Sequence, residues 1–237
     1  MGAIPGIEFH TFSIVGRCSR TGMLGIAITT SDISVGSRCP YVESSVGAIS
    51  TQASTDPSLG PFALRLLGLG YSAKGALQQL ETGDPYIERR QLGLVDHNGN
   101  PAARAGAMNN PWAGHATGQN YVAMGNGLVG GEVVQAMAAV FLEAPQLDLE
   151  ERLTGALEAG QEAGGEAQDS TPYHSAALLV YASDNFSRVD LRVDEHITPV
   201  AELRRLLDIF APKIDYFALR ASDPEAAQAA KNAELGS

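Results

Sequence analysis

Thr11 opens the run TFSIVG, which alternates and is rich in strand-forming residues. A threonine hydroxyl is a poor nucleophile unless a base takes its proton, and no lysine or histidine follows closely. Asn126, between Gly125 and Gly127, can offer an amide and exposed backbone N–H groups to an oxyanion, or simply occupy a left-handed turn. Thr51 and Gln52 close a third candidate strand, where they either present polar groups to a site or serve as ordinary strand residues. His115, in the Gly-rich stretch WAGHATGQN, can bind or shuttle a proton, or be a loop histidine bonded to backbone beside Trp112.

Other groups read more weakly. Asp194 and His196 in DLRVDEH resemble a metal or acid–base pair, yet sit where they can equally cap a helix. Arg89 and Arg90 can anchor an anion or be exposed strand arginines. Asp96, Asn98 and Asn100 superficially suggest a calcium loop, but lack the downstream glutamate, so a turn is expected. GNGLVGG (125–131) has neither a GK[ST] ending nor a G-x-G-x-x-G frame, which argues against nucleotide binding. Neither G-x-S-x-G nor H-E-x-x-H occurs.

The elements that must position these groups are mostly paired. TFSIVG and MLGIAITT (23–30) flank RCSRTG, a hairpin connector. Residues 31–44 read as a loop or irregular edge, and SVGAISTQAS (45–54) as a strand. Helical spacing follows in PFALRLLGLG (61–70) and SAKGALQQLETG (72–83), the second capped by Ser72. RRQLGLVDHNGNPAARAG (89–106) is a hairpin around Asn98-Gly99, and NYVAMGNGLV (120–129) another strand. Helices are expected over 131–144 and 147–165, strands over 174–183 and 187–196, and a terminal helix over 199–214. Hairpins imply antiparallel sheets, and paired helices imply covered sheet faces. The expected fold is α+β, a four-layer αββα sandwich. Residues 1–10 form an extension, 11–222 the domain and 223–237 a tail.

Composition narrows the function. With 237 residues, 44% hydrophobic and 18% charged, the chain can bury a full core. A net charge of −11 argues against nucleic acid. No apolar run approaches a membrane span, and the first nine residues do not resemble a signal peptide. Cys18 and Cys39 show no metal spacing or disulfide framework, so two half-buried thiols in a reducing cytoplasm are expected, with no cofactor and no metal.

TFSIVGR (11–17), GAISTQAS (47–54), PSLGP (57–61), RRQLGLVDHNG (89–99), WAGH (112–115), MGNGL (124–128), HSAALLVY (174–181), DLRVDEH (190–196) and VAELRRLLDIF (200–210) resemble the domain-of-unknown-function family numbered 1028, grouped with the N-terminal nucleophile (Ntn) hydrolases. That resemblance implies the αββα fold and an amidohydrolase acting on a small molecule. Thr11 would be the nucleophile, its own α-amino group the base, and Asn126 or Thr51 oxyanion donors. Ser13, Gln52, His115 and Arg38 would bind substrate, in a homo-oligomer without a cofactor. The chain departs from the pattern in two ways. Residues 1–10 must be cut away before the amine exists. A lysine between the second and third strands, as in proteasomes, is absent, and Arg38 is the one cation there. The alternative is a non-catalytic Ntn-like scaffold that binds a small ligand or a partner, with Ile4, Ile7 and Phe9 packing a retained N-terminal arm.

Overall fold

The computed structural model describes residues 10–167 and 174–235. The segment carrying Ile4, Ile7 and Phe9 lies outside the described residues. Strands β1 (Thr11–Arg17) and β2 (Leu24–Thr30) form the expected hairpin, with Gly22 at φ 77° in its turn. A positive φ there is open to glycine at no steric cost. The register sets Arg17 opposite Leu24 and therefore Thr11 opposite Thr30.

A four-stranded sheet runs in the order β3 (Pro40–Glu43), β4 (Gly47–Ala53), β5 (Arg90–Asp96), β6 (Pro101–Ala105). Four further strands, β7 (Gly114–Gly118), β8 (Tyr121–Asn126), β9 (Ser175–Tyr181) and β10 (Ser187–Val193), join the first hairpin. Their sheet has the order β10-β9-β2-β1-β8-β7, and both sheets are antiparallel. Helices α1 (Leu59–Gly68) and α2 (Ala73–Gly83) pack on the smaller sheet. Helices α3 (Glu132–Glu143), α4 (Leu149–Glu162) and α5 (Pro199–Phe210) cover the larger one. The result is the αββα sandwich.

Strand alternation divides the interior into layers. Phe12 and Ile14 face the helices over the larger sheet, while Val15 faces the smaller sheet. Ile49, Leu92 and Leu94 face α1 and α2. Between the sheets lie Ile26, Ile28, Val95, Val122 and Met124. Gly93 permits the close approach of the two sheets there, since a Cβ on it would stand 2.8 Å from the Met124 sulfur.

Several expectations need correction. The stretch around His115 is not a loop but the edge strand β7. Its glycines and polar residues hide the pattern, because an edge strand is half solvated and pairs on one side only. Residues 31–44 end in the short edge strand β3 rather than staying irregular. Helix α1 starts at Leu59, ahead of Pro61, because proline is tolerated in a first turn whose N–H groups lack intrahelical partners. The terminal helix stops at Phe210, where Pro212 cannot continue the N–H ladder, and α6 (Ile214–Ser222) and α7 (Pro224–Leu235) follow. Both cysteines are free and fully buried rather than half-buried.

The DHNGN turn is organised by one carboxylate. Asp96 Oδ1 accepts from the backbone N–H groups of Asn98 (2.9 Å) and Asn100 (3.0 Å). Its Oδ2 accepts from Asn100 Nδ2 (3.1 Å) and from Ala73 N (3.3 Å) at the start of α2. Burial alone would raise its pKa, but the Asn100 side chain and the N–H groups of Asn100, Ala73 and Asn98 outweigh it and hold the carboxyl below its usual range. A depressed folded pKa adds stability above the unfolded value of ~3.9 that is lost as pH falls through the folded value. Asp96→Asn should lower unfolding free energy at pH 7 by about 1–3 kcal/mol. The gap to the parent should close in urea melts below about pH 4; equal stability at pH 7 would refute the assignment.

Candidate active site

The layer between the sheets changes character along its length. At one end it is apolar; at the other, the inward positions are Thr11, Ser13, Thr30, Ser50, Gln52, Gln91 and Asn126, all buried. Buried polar groups require partners, and here they supply one another. Ser13 Oγ donates to Gln52 Oε1 (2.7 Å), and Gln52 Nε2 donates to Gln91 Oε1 (2.8 Å). Asn126 Nδ2 donates to the same Gln91 oxygen (3.0 Å). Gln91 Nε2 in turn donates to the carbonyls of Gly125 (2.8 Å) and Gly114 (3.1 Å), tying β5 of one sheet to β8 of the other. Gln52 Nε2 makes a long contact of 3.5 Å with the Thr11 carbonyl.

Thr11 sits where β1 is flanked on both sides, paired with Thr30 on β2 and Asn126 on β8. Its hydroxyl lies 2.8 Å from that of Thr30. Thr30 Oγ1 donates to the carbonyl of His10, also at 2.8 Å. Thr30 has one hydroxyl hydrogen, so in this arrangement Thr11 is the donor between the two hydroxyls. The His10 carbonyl receives a second bond from the Ser31 N–H (3.0 Å), and the His10 N–H donates to Ser31 Oγ (2.8 Å). The His10 ring is anchored by a 2.9 Å hydrogen bond between Nδ1 and the Ala167 carbonyl oxygen and lies over Gly127. Gly127 has φ 64°, and a Cβ on it would come within 2.3 Å of that ring. The His10–Thr11 peptide is therefore held at both residues, with two donors on its carbonyl.

Thr11 opens onto a cleft of about 460 Å³, which Thr30, Gln52 and Asn126 also line. Arg38 lines it too, paired with Asp32 at 2.8 Å. Cys39 is a second potential nucleophile in the wall, but burial pushes its thiol up to about 12, so it stays protonated near neutrality.

The predicted residues divide accordingly. Thr11, Ser13, Gln52 and Asn126 share one network, and Arg38 shares their cleft. The left-handed residue of the MGNGL stretch is Gly127, leaving Asn126 in strand geometry with its amide inward. Thr51 lies on the opposite face of β4, where its hydroxyl meets Thr55 at 3.1 Å. His115 is exposed on β7 and does not line the cleft. His196 Nδ1 accepts from the N–H of Thr198 (3.1 Å), the residue just before α5, and no described side chain caps the first turn of that helix. Among the described residues, no group of three or more His, Cys, Asp or Glu is arranged to hold a metal. No described helix is long and apolar enough to cross a membrane.

Thr30, Ser31 and Gln91 escaped the sequence reading. The first could have been found from the hairpin: once Arg17 faces Leu24, Thr11 must face Thr30. Gln91 was signalled by a polar residue at an inward position of an otherwise apolar strand.

A two-sheet αββα domain with a polar cleft at one end of its inter-sheet layer is the class these features define. Residues 11–203 match the family of unknown function DUF1028, and the chain belongs to that family. The crystal structure of protein SPO2555 from Silicibacter pomeroyi, a DUF1028 protein, is 31% identical over 85% of this chain and 89% of that one, with a TM-score of 0.77. Anbu, the ancestral beta-subunit from Yersinia bercovieri, aligns at 11% identity over 84% of this chain and 96% of that one, with a TM-score of 0.41. Among curated proteins, none matches the chain.

Gln91 is the junction of the buried network, so its removal should be felt. Gln91→Leu strands Asn126 Nδ2 and the carbonyls of Gly114 and Gly125, and should cost roughly 2 kcal/mol or more in urea unfolding. A loss below about 0.5 kcal/mol, typical of surface changes, would show that the network is not stabilising.

Proposed function

We propose that this protein is an Ntn-type amidohydrolase that cleaves an amide bond in a small molecule after the His10–Thr11 peptide has been cut. The observation that carries the reading is the shared engagement of Thr30, whose hydroxyl meets both the Thr11 hydroxyl and the His10 carbonyl at 2.8 Å. The match to the family, which starts at Thr11, supports the same boundary.

The first step is internal. Thr11 Oγ1 attacks the His10 carbonyl carbon and gives its proton to Thr30, while Thr30 passes its own to the carbonyl oxygen. The resulting tetrahedral centre stays neutral, aided by the Ser31 N–H. Its collapse breaks the C–N bond, returns the hydroxyl proton to nitrogen, and leaves an ester of His10 on Thr11. Water opens that ester to a carboxyl at His10 and a free Thr11. The new α-amine, with a pKa of about 7.7–8.0 as its ordinary value, can then act as the base that an amide nitrogen cannot be. In turnover the Thr11 hydroxyl attacks the substrate carbonyl and the amine accepts its proton and delivers it to the leaving nitrogen. The acyl ester on Thr11 is then hydrolysed. Asn126 at the cleft wall is the donor best placed for the oxyanion; Thr51, on the far face of its strand, would act only through Thr55. The reading carries with it a cytoplasmic homo-oligomer.

A binding protein without chemistry is the second reading. It is favoured by the burial of Thr11, 4% exposed, with its hydroxyl committed to Thr30. Intact-mass measurement of the purified protein separates the two. A species beginning at Thr11, formed by the parent and by Thr11→Ser but not by Thr11→Ala, is expected for the enzyme. Thr30→Val should slow its formation by about 10-fold or more, the loss of one oxyanion-type donor being worth 10²–10³ in other acyl transfers. The activity of the cut form should rise with pH as an amine titrating near ~8 loses its proton. Amide hydrolysis by a chain that stays uncut would refute the mechanism.

A further inference from the structure

The lining of the cleft beside Thr11 holds more arginines than acids, within an acidic protein. The chain carries a net charge of −11, yet three arginines, Arg38, Arg89 and Arg90, line this concavity against one acid, Asp32. Their states differ. Arg90 is committed: its Nε donates to Asp84 Oδ2 at 2.8 Å, and it also bonds the Ser54 carbonyl. Arg38 uses one terminal nitrogen on Asp32 Oδ2, and Asp32 Oδ1 is taken by the Ile33 N–H. Arg89 is exposed and its guanidinium has no ion pair or hydrogen bond among the described residues. The cleft thus offers a whole guanidinium and part of another, while its one carboxylate is engaged.

We infer that the cleft takes a carboxylate-bearing acyl amide, with the carboxylate held by Arg89 and the free donors of Arg38. A guanidinium fork matches a planar carboxylate through two parallel hydrogen bonds. Low-dielectric walls around like charges concentrate anions in a concavity. A volume of about 460 Å³ suits a small organic acid. The inference rests on the hydrolase reading for the word amide, but the anion site stands on the arginines alone.

The test uses the full-length chain carrying Thr11→Ala, which cannot turn over through Thr11. N-acetyl-L-alanine and its uncharged counterpart N-acetyl-L-alaninamide are titrated by NMR, with inorganic phosphate as a third probe. The acid should bind at least ~10-fold more tightly than the amide, as one charge-assisted interaction of about 1.4 kcal/mol gives. Adding Arg89→Ala should remove that preference, and the fold is spared because Arg89 has no partner to lose. The acid's affinity should also fall as salt rises. Equal affinities, no binding of either probe, an unchanged preference in Arg89→Ala, or phosphate binding more tightly than the acid would each overturn the inference. Carboxylate-selective binding by a chain never cut at Thr11 would uphold it while refuting the hydrolase. Turnover of neutral amides at the rate of acidic ones would do the reverse.

Discussion

The hydroxyl of Thr30 has a single hydrogen, and it points at the carbonyl of His10. Thr30 can therefore only accept from Thr11, which fixes the direction of both hydrogen bonds. Two hydroxyls and one carbonyl form a chain along which protons can move without any charged side chain. That matters because the peptide nitrogen of Thr11 cannot take a proton, and the chain's three lysines, Lys74, Lys213 and Lys231, are all outside the cleft lining. The β1–β2 register creates this contact, so the turn at Gly22, well away from the cleft, fixes which hydroxyl Thr11 meets at the strand's other end.

The sandwich imposes a second constraint. Two sheets packed face to face normally bury apolar side chains throughout. Here one end of that layer is polar, and the cost of desolvation is offset by a closed set of hydrogen bonds through Gln52 and Gln91. Removing one member leaves several groups unpaired. The network connects the two sheets at the mouth of the cleft and holds β1, β4, β5 and β8 in fixed relation around Thr11. The apolar remainder, from Val15 to Met124, supplies the driving force that closes the sandwich behind it.

Much of this was legible in the chain itself. Hairpin signals at Gly22 and Asn98-Gly99 and the pairing of helices were enough to argue two antiparallel sheets with helices outside. Ser72 was read as a cap and does accept from Gly75 N. What failed was weakly patterned: β3 is an edge strand of only four residues that opens on a proline, and β7 is an edge strand of glycine and polar residues. The site was legible only in part. Thr11, Gln52 and Asn126 stand out by type and position, and they do converge. Thr51 and Gln52 could not be told apart in the sequence, because a strand's two faces are distinguished by register, and the structure sets Gln52 inward and Thr51 against Thr55. Thr30 and Gln91 lie in other elements, brought to Thr11 by pairing and packing rather than by proximity in sequence.

The most direct probe of the mechanism is covalent capture. The purified protein is treated with an electrophile that acylates a hydroxyl nucleophile, such as a β-lactone, and the modified residue is located by peptide mass spectrometry. The label should fall on Thr11 Oγ1, in chains that begin at Thr11, and should be absent from Thr11→Ala. Hydrolytically active protein that stays unlabelled at Thr11, or that carries the label while His10 is still attached, would contradict the role assigned to the freed amine.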